Sequence, residues 1–157
     1  MKPRFHWLVL VMALSMAACA GHDLGLDWRP PIPGGQVGAE AEIETILAEV
    51  QWGMQERRKS RVLTHVSRNY RDPAGRGYEN LYAYLDEIFS RYRNIQIRRS
   101  RPRILVLGDH AHSVERFTTT AEPTNPEADP PMSFDGEVMA HFRREGDAWK
   151  ITSWDLP

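Results

Sequence analysis

Residues 142–151 read Phe-Arg-Arg-Glu-Gly-Asp-Ala-Trp-Lys-Ile, and this stretch decides the fold class. The Glu-Gly-Asp at its centre is a tight-turn sequence between two segments in which apolar and polar residues alternate. We therefore predict a β-hairpin near the C-terminal end. In its second strand Trp149 and Ile151 should share one face, and Trp154 should lie on the other because side chains alternate along a strand.

The same two-residue alternation extends upstream of the hairpin. We predict strands around residues 95–97, at 104–107 and from about 110 to 120. Four prolines between residues 121 and 132 predict a loop there, since proline cannot donate to a sheet ladder.

A different spacing dominates before residue 94. Apolar residues recur at helical intervals in two long segments, about 39–58 and 78–92. A short helix between them could be capped by Ser60. Three helices followed by an antiparallel sheet define the α+β class.

This element order resembles the nuclear transport factor 2-like superfamily, which includes SnoaL-like domains, ketosteroid isomerase, scytalone dehydratase and polyketide cyclases. The resemblance rests on the Tyr-Arg-Asp-Pro-Ala-Gly loop at 70–75 and on the ending at 142–151, and it covers roughly residues 39–155. It implies a curved sheet wrapped around a long helix as a cone, with a pocket at the open end. It also implies frequent homodimers through the sheet.

The N-terminal segment has the features of an export signal. Lys2 and Arg4 precede an apolar run at 8–14, and small residues follow before Cys19. Residues 16–19, Met-Ala-Ala-Cys, resemble a bacterial lipobox, although leucine is usual where Met16 stands. We predict a signal peptide at 1–18, lipidation of Cys19, and attachment to the outer membrane facing the periplasm. Ordinary signal-peptidase cleavage and an uncleaved anchor are the alternatives.

A segment rich in proline and glycine follows the cysteine. Residues 20–38 contain three prolines and five glycines, which disfavour a helix or a central strand. We predict a flexible tether at 19–38 and one folded domain at 39–157.

Composition excludes several classes of function. The 157 residues carry 20 Lys and Arg against 21 Asp and Glu, and the signal would remove two of the basic residues. Nucleic acid is therefore not an expected partner. Cys19 is the only cysteine, so the folded domain has neither a disulfide nor a thiol nucleophile.

Asp72 and His141 are the candidate catalytic residues. The resemblance places Asp72 at the loop position of the ketosteroid isomerase base, but Ala140 stands where that enzyme has its second acid. Asp72 with His141 could form an acid–base pair, as in the scytalone dehydratase family. The alternative is that Asp72 only shapes a turn beside Pro73 and that His141 is an ordinary strand residue.

His110 and His112 fall on one face of a predicted strand. The two imidazoles could reach one metal ion, with His141 as a third ligand. Exposed histidines beside a turn are the simpler interpretation, so we expect no metal and no cofactor.

Aromatic side chains offer a binding surface. Trp52, Tyr70, Tyr82 and Trp154 could line the mouth of a cone-shaped pocket, or they could pack the sheet against the helices.

The leading functional hypothesis is a non-enzymatic envelope lipoprotein that binds a small apolar ligand, a lipid or another envelope protein. The alternatives are a lyase or isomerase that uses Asp72 and His141, and a scaffold that dimerises through its sheet.

Overall fold

The computed structural model describes residues 33–155, so the predictions for the signal, Cys19 and most of the tether lie outside the described residues. It confirms the predicted α+β class, with three helices followed by a five-stranded antiparallel sheet. In chain order the elements are α1 (Pro33–Gln55), α2 (Lys59–Thr64), α3 (Tyr78–Arg91), β1 (Tyr92–Arg99), β2 (Arg103–Leu107), β3 (His110–Pro123), β4 (Met132–Glu145) and β5 (Ala148–Asp155). No helix in this range is both long and apolar enough to cross a bilayer.

Helix α1 begins earlier than predicted, at Pro33 rather than near residue 39. Residues 33–38 are therefore helical, where the sequence predicted tether. Proline is tolerated in the first turn of a helix because the N–H it lacks would have no partner there. At the other end, left-handed Arg57 (φ 54°) closes the helix. Its N–H bonds the carbonyl of Met54, and the N–H of Arg58 bonds that of Gly53, which is a Schellman cap.

The capping role predicted for Ser60 is wrong. Helix α2 begins at Lys59 with Arg58 at the cap position, and Ser60 is already helical. The helix packs tightly on α1 at Gly53, where an added Cβ would lie 2.9 Å from a methyl carbon of Val62. A glycine at this position lets the two helices approach.

The sheet has the order β1-β3-β4-β5, and β2 also pairs with β3. Strand β3 is 14 residues long, and β1 and β2 lie one after the other along the same edge of it. We call the side of the sheet that packs on the helices its inner face and the opposite side its outer face.

The inner face and the helices form the core. Among the described residues, the largest side chains with less than 2% exposure include Trp149, Phe142, Ile43 and Ile151. Large side chains thus occupy the space between the helices and the sheet.

A buried ion pair also lies on the inner face. The Arg99 guanidinium donates to both carboxylate oxygens of Glu115, and the two side chains are 12% and 6% exposed. Gln51 of α1 contacts the same guanidinium.

Strand β5 contains a β-bulge that corrects one prediction. Phe142 pairs with Ile151 and His141 pairs with Ser153, so Thr152 is the extra residue. After the bulge the alternation is shifted by one residue. Trp154 consequently pairs with buried Ala140 and packs against the core, on the same face as Trp149, contrary to the prediction.

Both flanks of the sheet receive hydrogen bonds from outside it. At β5, the segment after α2 bridges Val66 to Ile151, and the N–H of Arg71 donates to the carbonyl of Thr152. At β1, the side chains of Gln51 and Gln55 bond the carbonyl and N–H of Ile97. Strand edges satisfied in this way are poor templates for pairing with another chain.

Candidate functional site

An open cleft lies between the turn that follows residue 70 and the outer face of the sheet. Its volume is about 460 Å³. Both catalytic candidates contribute to its lining, which consists of Arg71, Asp72, Pro73, His110, His112, His141, Phe142, Thr152, Ser153 and Asp155.

Asp72 is held by the turn that it shapes. Its Oδ1 accepts from the N–H of Arg76 at 2.8 Å, and its Oδ2 accepts from the Nε of Arg76 at 2.6 Å. Removal from solvent would raise the pKa of Asp72, but these two hydrogen bonds outweigh it and lower the pKa below 3.8. The carboxylate is thus ionised and already bonded within its own loop.

His141 lies at the centre of a hydrogen-bonded chain. Its Nε2 is 3.1 Å from the Oδ2 of Asp155, and its Nδ1 is 3.0 Å from the Nδ1 of His112. Ser153 donates to the other oxygen of Asp155 at 2.9 Å. The structure therefore brings Asp72 and His141 to one cleft but gives each a different partner.

When both imidazoles are neutral, the Asp155 carboxylate determines which of their nitrogens carry the protons. Asp155 can only accept, so Nε2 of His141 carries the proton and its Nδ1 is an acceptor. His112 then donates from Nδ1. Sequence analysis missed Asp155, because the unbroken alternation on which it relied would turn this residue to the inner face.

His110 lies at the rim of the cleft and, among the described residues, forms no hydrogen bond with the other two imidazoles. Its Nδ1 is 2.7 Å from the Oδ1 of Asp109, and its side chain is 57% exposed. Within residues 33–155, no group of three or more His, Cys, Asp or Glu side chains is gathered as a metal site.

Two of the four aromatic candidates meet inside the fold. Tyr70 and Trp154 pack edge to face with ring centroids 6.0 Å apart. Burial raises the pKa of Tyr70 to about 12, and the nearby carboxylate of Asp72 adds to the shift. This pair packs behind the cleft rather than lining it.

The other two aromatics lie under cations of α2. The guanidinium of Arg61 is 3.5 Å from the ring centroid of Trp52, and the ammonium of Lys59 is 3.4 Å from that of Tyr82. One face of Trp52 and one face of Tyr82 are thus covered by cations of the same chain, whereas Tyr70 and Trp154 pack on each other.

Comparison with known proteins bears first on the fold. A scytalone dehydratase-like protein of Novosphingobium aromaticivorans superposes with a TM-score of 0.71 at 13% identity, covering 80% of this chain and 87% of its own. A nuclear transport factor 2-like protein of Salmonella enterica gives 0.68 at 13% identity, covering 78% and 92%. A hexachlorocyclohexane dehydrochlorinase of Novosphingobium barchaimii gives 0.66 at 12% identity, covering 78% and 87%.

No curated protein matches the sequence significantly. The family comparison is more specific, because the SnoaL-like domain matches residues 67–156. That range is more than half of the chain, and it contains every residue that lines the cleft. The protein belongs to the SnoaL-like domain family and has the nuclear transport factor 2-like fold.

Proposed function

We propose that this protein is an envelope lipoprotein whose SnoaL-like domain binds, in the cleft, a small and largely apolar molecule that carries a few polar groups. The observation that carries the proposal is the lining of the cleft, where three histidines, Arg71 and Ser153 lie within a surface that is mostly apolar. Large buried side chains fill the space between helices and sheet, so the cleft is a better site than the cone interior. The mostly apolar surface of the cleft supports the apolar ligand predicted from sequence, and the polar side chains add hydrogen-bonding positions.

Native mass spectrometry of the full chain, purified in mild detergent, tests the binding function. We expect a co-purified small molecule on the wild type and its loss from Ser153→Phe, which fills the cleft. Ser60→Phe is the matched control, since Ser60 lines a separate cavity beside α2. A wild-type protein without an adduct, or an adduct that survives in S153F, would contradict the proposal.

The membrane role rests on the sequence of residues 1–19. Replacing Cys19 by serine should abolish incorporation of labelled palmitate and release the protein from the membrane fraction. A C19S chain that stays in the membrane fraction would exclude lipidation as the means of attachment.

A second candidate is a lyase or isomerase that acts by proton transfer. The observation in its favour is the chain from Asp155 through His141 to His112, since a base oriented by a carboxylate is a recurring catalytic arrangement. Asp72 is a weaker candidate for the base because Arg76 occupies both of its oxygens.

The carbon acid 5-nitrobenzisoxazole probes this candidate without a known substrate. A positioned base takes its ring C–H proton, the N–O bond breaks, and a coloured cyanophenolate is released. If the protein is an enzyme of this kind, the wild type should catalyse the reaction faster than the His112→Asn and His141→Asn variants. His65→Asn is the control and should react at the wild-type rate. Equal rates in all four proteins would eliminate the candidate.

The outer face supports the third hypothesis, a homodimeric scaffold. Leu105, Leu107 and Met139 are 57%, 56% and 40% exposed there, beside the cleft. An exposed apolar patch of this kind is typical of a protein interface. Light scattering should detect a dimer that Leu105→Glu with Leu107→Glu dissociates. A monomeric wild type would exclude the scaffold.

A further inference from the structure

Three histidines share the outer face of the sheet. His110 and His112 are two residues apart on β3, and His141 pairs directly with His112 from β4. Alternation along a strand puts all three imidazoles on one side. They line the same cleft, although they come from two separate parts of the sequence.

Two of these imidazoles already face each other through the atoms that would bind a cation. The Nδ1 atoms of His112 and His141 are 3.0 Å apart, and the rings are nearly perpendicular, at 83°. Two nitrogen ligands about 2.0–2.1 Å from a tetrahedral ion would be about 3.3 Å apart. A shift of a few tenths of an ångström, together with a rotation of both rings that turns their lone pairs toward a common point, therefore converts the hydrogen-bonded pair into two metal ligands.

The proton shared between the two Nδ1 atoms can be moved to another nitrogen of His112. His112 can carry its proton on Nε2 instead of Nδ1, which leaves both Nδ1 lone pairs facing the ion at no cost in net charge. His141 keeps its proton on Nε2 because Asp155 accepts it there. A carboxylate that orients a ligating histidine in this way is a common outer shell of metal sites.

His110 can supply the third ligand. Its side chain is 57% exposed and bonds only the adjacent Asp109 in the described structure, so its rotation breaks a single surface contact. Imidazole ligands suit Zn²⁺, Cu²⁺ and Ni²⁺ rather than Mg²⁺ or Ca²⁺. We propose that His110, His112 and His141 form a site for a divalent transition-metal ion of the Zn²⁺ class, with solvent or a ligand at the open position.

Calorimetric titration of the full chain with Zn²⁺ alone, after chelator treatment, tests this site. We expect one ion per chain in the wild type and a loss of affinity of about 10-fold or more in His112→Asn and in His141→Asn. His110→Asn should weaken binding less, because the preformed pair remains. His65→Asn is the matched control, since His65 belongs to the cavity beside α2 and should keep wild-type affinity.

Imidazole nitrogen resonances provide a readout that does not depend on folding of a variant. In the wild type, Zn²⁺ should shift the Nδ1 signals of His112 and His141 while Nε2 of His141 stays protonated. Absence of Zn²⁺ binding, or binding unchanged by H112N and H141N, would overturn the site. The titration uses no organic ligand, so its failure is distinct from failure of the proposed function.

Discussion

Asp155 reaches Nε2 of His141, at 3.1 Å, because a bulge takes one residue of β5 out of the alternation between faces. The extra residue, Thr152, donates from its hydroxyl to the carbonyl of His141. If Thr152 instead paired as a regular strand residue, Trp154 and Asp155 would exchange faces. A single bulge therefore sets both the packing of Trp154 on Tyr70 and the chain of hydrogen bonds in the cleft.

Inserting one alanine after Thr152 should turn Trp154 outward and remove Asp155 from His141, because the bulge accommodates only one extra residue. We expect a loss of about 2 kcal/mol in the free energy of unfolding from the lost aromatic burial. Denaturant titration measures the loss, and the imidazole resonances of His141 report whether its carboxylate partner has left. Thr152→Ala, which keeps the bulge but lacks the hydroxyl, should lose only about 1 kcal/mol. Equal effects of the two changes would show that the bulge does not set the register.

Asp72 should behave as the anchor of its turn. Asp72→Ala removes both bonds to Arg76, whereas Asp72→Asn retains an oxygen for the N–H of Arg76 and should lower the melting temperature less. Because the folded pKa lies below 3.8, the ionised carboxylate stabilises the fold above that pH. The difference in melting temperature between wild type and D72N should therefore shrink as pH falls through and below 3.8. A difference that stays constant down to pH 2 would contradict this.

His65 should make the fold sensitive to mild acid. Burial lowers its pKa below 6.5, and the nearby charge of Lys150 lowers it further, whereas Glu49 opposes the shift. The unfolded chain then binds this proton more readily, so stability should fall as pH drops below about 6.5. In His65→Asn, the free energy of unfolding should fall less steeply between pH 7.5 and 5, because the contribution of His65 is missing. Parallel curves for the two proteins would refute the assignment.

The ion pair between Arg99 and Glu115 should be costly to break. Glu115→Gln leaves a guanidinium that is 12% exposed without its counter-charge, which typically costs about 3–5 kcal/mol. Replacing both residues, with Met at 99 and Leu at 115, should recover most of that loss. Glu122→Gln provides the comparison, since Glu122 and Arg93 are largely exposed and should contribute less than about 1 kcal/mol. A large effect at Glu122 would show that exposure does not govern these energies.

Trp52 should stabilise the contact between α1 and α2 without affecting the cleft. Trp52→Ala removes the ring under Arg61 and should cost about 1 kcal/mol. Zn²⁺ affinity and any co-purified ligand should be unchanged. A loss of Zn²⁺ affinity or of the co-purified ligand would show that Trp52 belongs to the binding surface, as predicted from sequence.

Periodicity of the sequence was sufficient for the class and order of the elements. The Glu-Gly-Asp turn and the helical spacing from Ile43 onward depend on local interactions, and both predictions are confirmed. The predicted start of α1 was wrong because glycine and proline were treated as helix breakers at every position. Pro33 occupies the one turn of a helix that tolerates it.

The site could be predicted only in part. His110 and His112 share a face by simple alternation, and the resemblance pointed to Asp72. The partners of these residues depend on register between distant strands, which pairs His141 with His112 across 29 positions of sequence. A bulge has no reliable signal in the local sequence. Alternation therefore could not predict that Asp155 faces the cleft or that Trp154 faces the core.

The bulge at Thr152 also limits how this family member can change. Substitutions at His112, His141 or Asp155 alter the chemistry of the cleft one group at a time. An in-frame gain of a single codon next to that for Thr152 would instead remove the carboxylate from the cleft and expose an indole in the same event. Length variation in the last strand, rather than point mutation alone, is thus a route by which relatives could gain or lose this arrangement in one evolutionary step.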